Sequence, residues 1–590
     1  MQIKAKVIYG NTEKSIEVDS NMNLLSNLLK NDIKMESPCG GKGICGKCKI
    51  KILSGSSLPS QQDNKFFTEE ELKLGYRLAC TCFPSEDITI QLDKNYSESY
   101  EILTTEKIQE INDNDFRIMI HEVPIKDDLL EKTNNITSYI DNYLGSKFQY
   151  SLSSLNKISN LLKKDINTIS SLFVKTSRKK VIDISDKTIY SYGVSIDIGT
   201  TTLALSLINM TNGKIINNYS IINPQQKFGY DVISRIQYAS EHEQNLNFIS
   251  DTIITTLDDS IRKLLTLSKV DRDYLDCVAI AGNTTMIQLL LSLDSFSISV
   301  SPFTMVTDCT MALTYREVFN NKYIDAEVFL LPAVAAYVGG DITSGIYTTE
   351  MYKDDKISIL LDIGTNGEMV IGNKDSLMCA ATAAGPAFEG AKIKHGIGGV
   401  KGAISAVSLS NKTIETIGDK APIGICGTGV VDIVSEFIDN EIIDETGYLE
   451  PEYLDENEEF FIAKDSKGNN ISFTQNDVRE IQLAKSAILS GIEVLVESYG
   501  IDYSQVDKIY LAGGFGTKLH MNQAINIGLI PKELKEKIIP IGNSSLDGAI
   551  KFLLNKNAFT HLNNIIQKTN YIELSLNPDF NNKFVENMIF

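Results

Sequence analysis

The sequence lacks long apolar runs and has no excess of basic residues. Because no stretch of about 18 apolar residues occurs, no transmembrane helix is predicted. The first residues, Met1-Gln-Ile-Lys-Ala-Lys, lack the apolar core of a signal peptide, so we expect a cytoplasmic protein. The 56 Lys and Arg residues against 76 Asp and Glu residues give a net charge of −20. Neither nucleic acid nor a membrane is therefore expected as the main partner, since both select basic surfaces.

Several common site motifs are also missing. No G-x-x-x-x-G-K-[ST] sequence occurs, which excludes a P-loop. No G-x-G-x-x-G sequence follows a predicted strand, which disfavours a flavin or nicotinamide reductase. The five histidines form no closely spaced pair, so a histidine metal site is not expected.

Among the residue types that are present, cysteine is the most informative, because of its number and spacing. Five of the nine cysteines lie within the first 82 residues, and an odd number without a predicted signal peptide argues against a disulfide framework. Three closely spaced thiolates and a fourth from a distant segment suit a two-iron, two-sulfide cluster, and the glycines between them let the backbone wrap it. A zinc site is disfavoured because only one C-x2-C pair exists. The predicted cluster ligands are Cys39, Cys45, Cys48 and Cys80.

The fourth ligand has an alternative in Cys82, which lies close to Cys80 in the sequence. We favour Cys80 because Arg77-Leu-Ala-Cys80 is similar to the fourth-ligand segment of adrenodoxin-like and plant-type ferredoxins. Alternating apolar residues around Gly10-Asn11 predict a hairpin over residues 1–20, with further strands at 49–53 and 88–92. These elements predict a cluster domain over residues 1–93.

The next hundred residues carry no catalytic motif. Residues 94–115 are polar and lack an apolar period, which predicts a linker. Residues 116–190 read as a small αβ middle domain, with a strand at 116–121 and helices at 136–144 and 155–172.

A strand–turn–strand pattern occurs twice in the remaining two thirds. Each copy has an aliphatic strand ending in Asp-Ile-Gly-Thr, first at Asp197 and again at Asp362. Glycine lets a turn approach phosphate oxygens, and threonine hydroxyls and turn N–H groups donate to them. Two such turns predict a site that clamps a triphosphate. The residues predicted to surround the phosphates are Gly199, Thr200, Thr201, Gly364, Thr365, Asn366 and Gly367.

The acidic residues of the two hairpins have predicted roles. Asp197 and Asp362 can hold Mg²⁺ directly or through water. Glu368 either positions the attacking water or forms a salt bridge within its strand. A third element consists of a helix capped at Thr474 and stopped at Gly500, a strand at 508–512 and a glycine segment. That segment is predicted to bracket the nucleoside through Gly513, Gly514 and Gly516.

The two hairpins and the Gly-Gly-Phe-Gly segment, in this order, resemble the actin, sugar-kinase and heat-shock-chaperone ATPase superfamily. The resemblance implies ribonuclease-H-like lobes joined by helices with small residues, near 331–341 and 546–549. The expected fold is multidomain α+β and α/β. It comprises a β-grasp ferredoxin-like domain (1–93), a linker (94–115), a small αβ middle domain (116–190) and a two-lobed actin-like ATPase domain (191–590).

A ferredoxin-like domain ahead of such an ATPase resembles the reductive activators of corrinoid proteins (RACo-type proteins). Further matching stretches lie at 280–286, 383–391, 425–429 and 578–585. The resemblance implies a homodimer with a 2Fe-2S cluster and Mg²⁺-ATP, reduced by an unknown upstream electron donor. Its partner would be the corrinoid protein of a methyltransferase system, whose Co(II) it returns to Co(I).

Three alternatives are weighed against this reading. The first is a small-metabolite kinase of the same superfamily with a structural cluster. The second is an activator of a radical dehydratase, although such activators usually hold a four-iron cluster between two subunits. The third is a simple electron carrier, for which the ATPase region would be superfluous.

Overall fold

The structure, a computed structural model, covers the chain with several gaps. The residues that it describes are 3–9, 12–31, 33, 35, 41, 43, 46, 48–55, 57–92, 115–125, 135–163, 169–229, 231–390 and 392–590. The predicted turn at Gly10-Asn11 and residues 94–114 of the predicted linker lie outside them. Within the described residues, no helix is both long and apolar enough to cross a bilayer.

The N-terminal domain is a mixed sheet covered by a helix. The strand order is Thr12–Val18, Ile3–Tyr9, Ile88–Leu92, Lys49–Ser54 and Tyr76–Leu78. The two N-terminal strands form the predicted hairpin, and Ile3–Tyr9 pairs in parallel with Ile88–Leu92. Helix Leu24–Lys30 starts at Asn23, whose side chain accepts from the Ser26 N–H, and packs its leucines against the sheet. Two short helices, Asp63–Phe66 and Glu69–Lys73, complete this ferredoxin-like fold.

The described residues within 116–190 form a four-stranded sheet with two helices. The strand order is Ile118–Pro124, Ser171–Ser177, Lys180–Ser185 and Gln149–Tyr150. The helices are Ile136–Leu144 and Leu152–Leu161. The predicted helix over 155–172 is therefore wrong at its C-terminal end. Leu172 and Val174 face the core two residues apart, which is the spacing of a strand rather than a helix.

Each of the two lobes over residues 191–590 contains a six-stranded sheet. The first has the order Ile215–Ile222, Thr202–Asn209, Tyr192–Ile198, Leu275–Gly282, Glu327–Leu330 and Met311–Thr314. The second has the order Thr569–Ile572, Leu377–Thr382, Gly367–Gly372, Ile357–Ile363, Val506–Ala512 and Ile538–Gly542. In both, three antiparallel strands are extended by a parallel strand beside the first strand of the hairpin. This repeated order places Asp197 and Asp362 at equivalent strand ends.

Helices and smaller sheets cover these two sheets. Those of the first lobe are Val232–Glu241, Glu243–Leu267, Thr284–Leu290, Phe296–Ser299, Tyr315–Phe319 and Gly340–Thr349. Those of the second lobe are Gly427–Asp439, Gln475–Tyr499, Gly513–Lys518, Met521–Asn526, Ser544–Leu554, Ala558–Lys568 and Pro578–Glu586. Its smaller strands are Ala403–Ser408, Thr413–Thr416, Gly424–Ile425, Glu459–Lys464 and Asn470–Thr474. The predicted cap at Thr474 is observed, with Asp477 completing a capping box, and Gly500 ends the helix at φ +82°.

Two helices, called here the connecting helices, cross between the lobes: Gly340–Thr349 and Ser544–Leu554. A Cβ on Gly548 would stand 2.5 Å from the Cβ of Ser344, so only glycine allows this approach. Apolar side chains of both helices belong to one core that also contains strands of both lobes. The small-residue segments predicted near 331–341 and 546–549 thus lead into or lie within these helices.

Arg117 joins the small domain to the C-terminal end of the second connecting helix. Its side chain is 5% exposed and donates to the carbonyl oxygens of Leu553 at 3.0 Å and Phe552 at 2.7 Å. These bonds satisfy carbonyls left without partners at the helix end, where a positive charge is also favourable. The guanidinium carbon lies 4.7 Å from the centre of the Phe552 ring and 5.0 Å from that of Phe329.

Replacing Arg117 by methionine should destabilise the two-lobed domain. The change leaves buried carbonyls unpaired and removes the contacts with the aromatic rings, at a combined cost of roughly 2–4 kcal/mol. The matched control is Arg178→Met, because Arg178 is exposed, its hydrogen bond to the Lys556 carbonyl is 3.5 Å long, and it lies 5.4 Å from the centre of a single ring, that of Phe559. Urea unfolding followed by circular dichroism should show a lower midpoint for the Arg117 variant only. Equal midpoints for the two variants would contradict this account.

Candidate functional site

A cleft of about 2320 Å³ lies between the lobes and extends to the N-terminal domain, where Gly46, Lys49 and Phe66 also line it. The ends of the equivalent strands face this cleft. The predicted site residues that line it are Asp197, Gly199, Thr200, Thr201, Asp362, Gly364, Thr365, Asn366, Glu368, Gly513 and Gly514. Gly367 and Gly516 lie behind the wall, where a Cβ on them would stand 3.2 Å from Ile488 and 2.7 Å from Leu511. One cleft thus holds both hairpin turns and the start of the glycine segment.

The first hairpin turn is held from behind by a buried arginine. The Gly199 N–H donates to the Thr202 carbonyl at 2.9 Å, and a Cβ on Gly199 would stand 2.8 Å from that oxygen. Arg235 is fully buried and donates to the carbonyl of Thr200, which fixes the backbone of the turn. From the side, the amide of Asn283 donates to the Thr200 hydroxyl at 3.2 Å. The turn is therefore preorganised, and the nearby positive charge of Arg235 favours binding of an anion.

The first residues of both connecting helices reach the cleft. Asp341 lies in the first turn of helix Gly340–Thr349. At the start of helix Ser544–Leu554, the Ser545 hydroxyl donates to one carboxylate oxygen of Asp197 at 2.7 Å, and the Asn543 amide donates to the other at 2.9 Å. The connecting helices thus place Asp341 in the cleft and orient Asp197 of the first lobe.

The half-buried carboxylates of Asp197, Asp341, Asp362 and Glu368 face the cleft, and their negative charges act on one another. Burial, with the negative charge of Asp197, raises the pKa of Asp362 to about 7, and burial with both neighbouring aspartates raises the pKa of Asp341 to about 7. Burial also raises the pKa of Glu368, and that of Asp197 despite its two donors. A divalent cation would relieve this concentration of negative charge.

The four carboxylates do not form a closed metal cage. Among the described residues, no three acidic, histidine or cysteine side chains converge on one point closely enough to bind an ion together. Water or phosphate oxygens would have to complete the coordination of a cation here, as is usual for Mg²⁺ bound with a nucleotide.

The glycine segment begins a helix rather than a flat loop. Strand Val506–Ala512 leads directly into helix Gly513–Lys518, so the glycines form the first turn of a helix. Gly513 has φ +84°, and a Cβ there would stand 2.7 Å from a carboxylate oxygen of Asp362. Glycine at this position thus leaves room for the acidic residue of the second hairpin.

Sequence reasoning did not assign a role to several residues of the cleft. These residues are Asn283, Asp341, Glu389, His520, Asn543 and Ser545. Asn283 follows strand Leu275–Gly282 as Gly513 follows its own strand, so the equivalence of the two sheets is a signal that could have located it. His520 lines the cleft, with Nδ1 3.0 Å from both carboxylate oxygens of Asp432.

In the N-terminal domain, two of the predicted cluster ligands are described and they lie together. The Sγ atoms of Cys48 and Cys80 are 3.3 Å apart, well beyond the ~2.05 Å of a disulfide bond. Cys39 and Cys45 lie outside the described residues. Cys82 is buried, and burial raises the pKa of its thiol while a hydrogen bond with Ser57 opposes this change. The geometry thus pairs Cys80, and not Cys82, with Cys48.

The surroundings of Cys48 and Cys80 fit a cluster. Gly41, Gly43 and Gly46 have φ values of +85°, +71° and +69°, which side-chain-bearing residues rarely adopt. One carboxylate oxygen of Asp63 accepts from the Leu78 N–H at 2.7 Å, and the other accepts from the Ser60 N–H at 2.7 Å. The segment that carries Cys80 is therefore fixed from the start of the short helix Asp63–Phe66.

Three sequence families match consecutive parts of the chain. Residues 8–85 match a 2Fe-2S iron-sulfur cluster binding domain, residues 192–354 match the RACo middle region, and residues 356–590 match the C-terminal domain of RACo, the ASKHA domain. The family's middle region is thus the first ATPase lobe and not the small domain at 116–190.

Known proteins match over most of the chain. The corrinoid activation enzyme RamQ of Eubacterium limosum is 29% identical, and the match covers 99% of both chains. The Co(II) methylated amine-specific corrinoid protein reductase of Methanosarcina barkeri is 23% identical over 67% of this chain and 76% of its own. A solved reductive activator for corrinoid, iron-sulfur protein is 30% identical, with a TM-score of 0.72 over 99% of this chain and 98% of its own.

Substituting the two neighbouring cysteines separately tests the fourth ligand. Cys80→Ala should lose iron and the visible absorbance of the protein purified without oxygen, because it removes the thiol beside Cys48. Cys82→Ala should retain both, because that thiol is held by another contact. Retention of iron by the first variant and loss by the second would contradict the pairing.

Asp362→Asn should stabilise the metal-free protein in a pH-dependent way. The pKa of Asp362 rises from 3.8 to about 7 on folding, so between these values the folded form retains a proton that the unfolded chain has lost. Stability from this group therefore falls as the pH rises. In EDTA, the variant should gain roughly 1–2 kcal/mol at about pH 8, after allowance for screening in the wet cleft, and less at about pH 5. A larger gain at the lower pH would contradict this.

Proposed function

Because the chain belongs to the family of reductive activators of corrinoid proteins, we propose that it is an ATP-dependent iron–sulfur reductase. It transfers one electron to a Co(II) corrinoid protein and so restores the Co(I) state that methyl transfer requires. One observation carries the proposal: a single chain combines a 2Fe-2S domain with an ASKHA-type cleft, and its relatives over the full length are named as corrinoid activators.

The energetics explain why such a reductase needs a nucleotide. An ordinary two-iron cluster has a potential near −400 mV, and a Co(II)/Co(I) couple is expected to lie lower. A gap of about 200 mV costs roughly 5 kcal/mol for one electron, which disfavours transfer by more than about a thousandfold. Nucleotide binding or hydrolysis offsets this cost if it changes how tightly the Co(II) partner is held.

In the N-terminal domain, Cys39, Cys45, Cys48 and Cys80 hold the cluster. The cluster, when bound, supplies the one-electron carrier. The chain supplies the sulfur ligands, the left-handed glycines that allow the loop to wrap around them, and Asp63, which fixes the segment carrying Cys80.

In the cleft, the two turns hold the phosphates through Thr200, Thr201, Thr365 and the neighbouring N–H groups. Asp197 and Asp362 would hold Mg²⁺, directly or through water. Asn543 and Ser545 orient Asp197, since each donates to one of its oxygens. Lobe rotation about the connecting helices then changes the distance between the two turns.

Glu368 positions the attacking water. It pairs with Asp362 across the hairpin, and the Asn366 amide is 3.4 Å from one of its oxygens. Within the described residues, no Lys, Arg or His lies within salt-bridge distance of Glu368, which favours this role over a salt bridge in the strand. The raised pKa of its carboxyl makes it a stronger base.

The assembly around this activity forms part of the same proposal. The protein works as a cytoplasmic homodimer, binds ATP with Mg²⁺ and receives electrons from an upstream donor of unknown identity. Its partner is the corrinoid protein of a methyltransferase system.

ATP-dependent formation of Co(I) tests the proposed function. The protein, an excess of chemical reductant and a Co(II) corrinoid protein are mixed without oxygen, and the Co(I) absorbance is followed. We expect Co(I) with Mg²⁺-ATP and little without it. Asp362→Asn should abolish the ATP effect, whereas Asp375→Asn, an exposed aspartate of the same lobe, should retain it.

Two outcomes would count against the function. Equal Co(I) formation without nucleotide would remove the role of the cleft. Failure with a panel of corrinoid proteins, together with phosphorylation of a small metabolite, would favour the kinase alternative.

A further inference from the structure

A short segment, residues 385–390, lies across the cleft. It contacts both hairpin turns and the glycine segment that begins at Gly513. It consists of Gly385, the 3₁₀ turn Pro386–Glu389 and Gly390, and both glycines have positive φ values, +77° and +78°. Sequence reasoning gave it no role beyond a family resemblance. Its contacts are made by two adjacent side chains, Phe388 and Glu389.

Glu389 joins the two hairpin turns. The Thr201 hydroxyl donates to one of its carboxylate oxygens at 3.1 Å, and the Thr365 hydroxyl donates to the other at 2.7 Å. Thr201 belongs to the turn of the first lobe and Thr365 to that of the second. One carboxylate therefore spans the cleft at the place where a phosphate chain would lie.

These contacts compete with phosphate. A threonine hydroxyl carries a single proton, so it donates either to Glu389 or to a phosphate oxygen, but not to both. The negative charges of the carboxylate and of the phosphates would also repel each other if both lay beside the same threonines. Burial raises the pKa of Glu389, while its two hydroxyl donors and the charge of Arg235 oppose this and favour the ionised form.

Phe388 extends the contact to the glycine segment. Its ring is stacked on that of Phe515, with centroids 4.9 Å apart and an angle of 23° between the planes. On its other side, the backbone of Phe388 packs against Gly427, where a Cβ would stand 1.8 Å from the Phe388 carbonyl oxygen. Phe388 thus connects the phosphate turns, through Glu389, to both the predicted nucleoside site and the start of helix Gly427–Asp439.

We propose that Glu389 is a latch that holds the phosphate donors of both lobes and is displaced when nucleotide phosphates bind. The inference rests on the proposed function, because it requires a nucleotide in the cleft. Displacement would free the 385–390 segment between its two glycines. Glu389 would then act as a positioning residue that couples phosphate binding to a movement of the cleft wall.

Binding measurements on Glu389→Gln test the latch. The full-length protein is titrated with a non-hydrolysable ATP analogue and Mg²⁺, and separately with adenosine, which has no phosphate. Loss of the competing charge should tighten binding of the analogue roughly tenfold and leave adenosine affinity unchanged. Unchanged or weaker analogue binding would overturn the latch, and so would equal tightening for adenosine.

Hydrogen exchange of the unmodified protein provides a second test that needs no variant. The backbone amides of residues 385 and 387–390 should exchange faster with the ATP analogue than with adenosine, because only the analogue displaces Glu389. Equal exchange with the two ligands would overturn the latch. If the unmodified protein binds adenosine but not the analogue, or binds neither, the proposed function fails, and the latch fails with it.

Discussion

The close crossing of the two connecting helices is the constraint on which the rest of the ATPase region depends. Gly548 allows the backbone of one helix to lie against Ser344 of the other, and this contact sets the distance between the lobes. The first turns of the two helices deliver Asp341 and the Asn543–Ser545 pair to the cleft. The far end of the second helix is held by Arg117 of the small domain. The two helices that cross at this contact therefore also carry groups that shape the cleft.

The cleft concentrates charge at a cost in stability. Four carboxylates share one half-buried region, and a buried guanidinium stands behind the first turn. A core selected only for stability would not contain such a group of like charges, and sites of this kind are expected where function requires them. These opposite charges suit a ligand that carries both anionic phosphates and a cation. The phosphates would balance the buried guanidinium, and the cation would balance the carboxylates.

Sequence patterns predicted the elements that are determined by residues close together in the chain. The capped helix from Thr474 to Gly500 and the two hairpins ending at Asp197 and Asp362 follow from capping, periodicity and turn chemistry. The helix predicted over 155–172 was wrong at its C-terminal end, because apolar spacing alone did not reveal the strand at Ser171–Ser177. The contact between Asp197 and Asn543 spans 346 positions, and no local signal encodes it. The same holds for Thr201 and Glu389, which tertiary folding brings together.

The central claim is that one chain couples its nucleotide cleft to delivery of a single electron. A single-turnover experiment tests it most directly. The cluster is reduced, the reductant is removed, and the protein is mixed without oxygen with one equivalent of a Co(II) corrinoid protein. Cluster oxidation and Co(I) absorbance are followed together. The account predicts that one Co(I) forms for each cluster oxidised, and only when Mg²⁺-ATP is present. Equal Co(I) formation without nucleotide, or Co(I) formation without cluster oxidation, would contradict it.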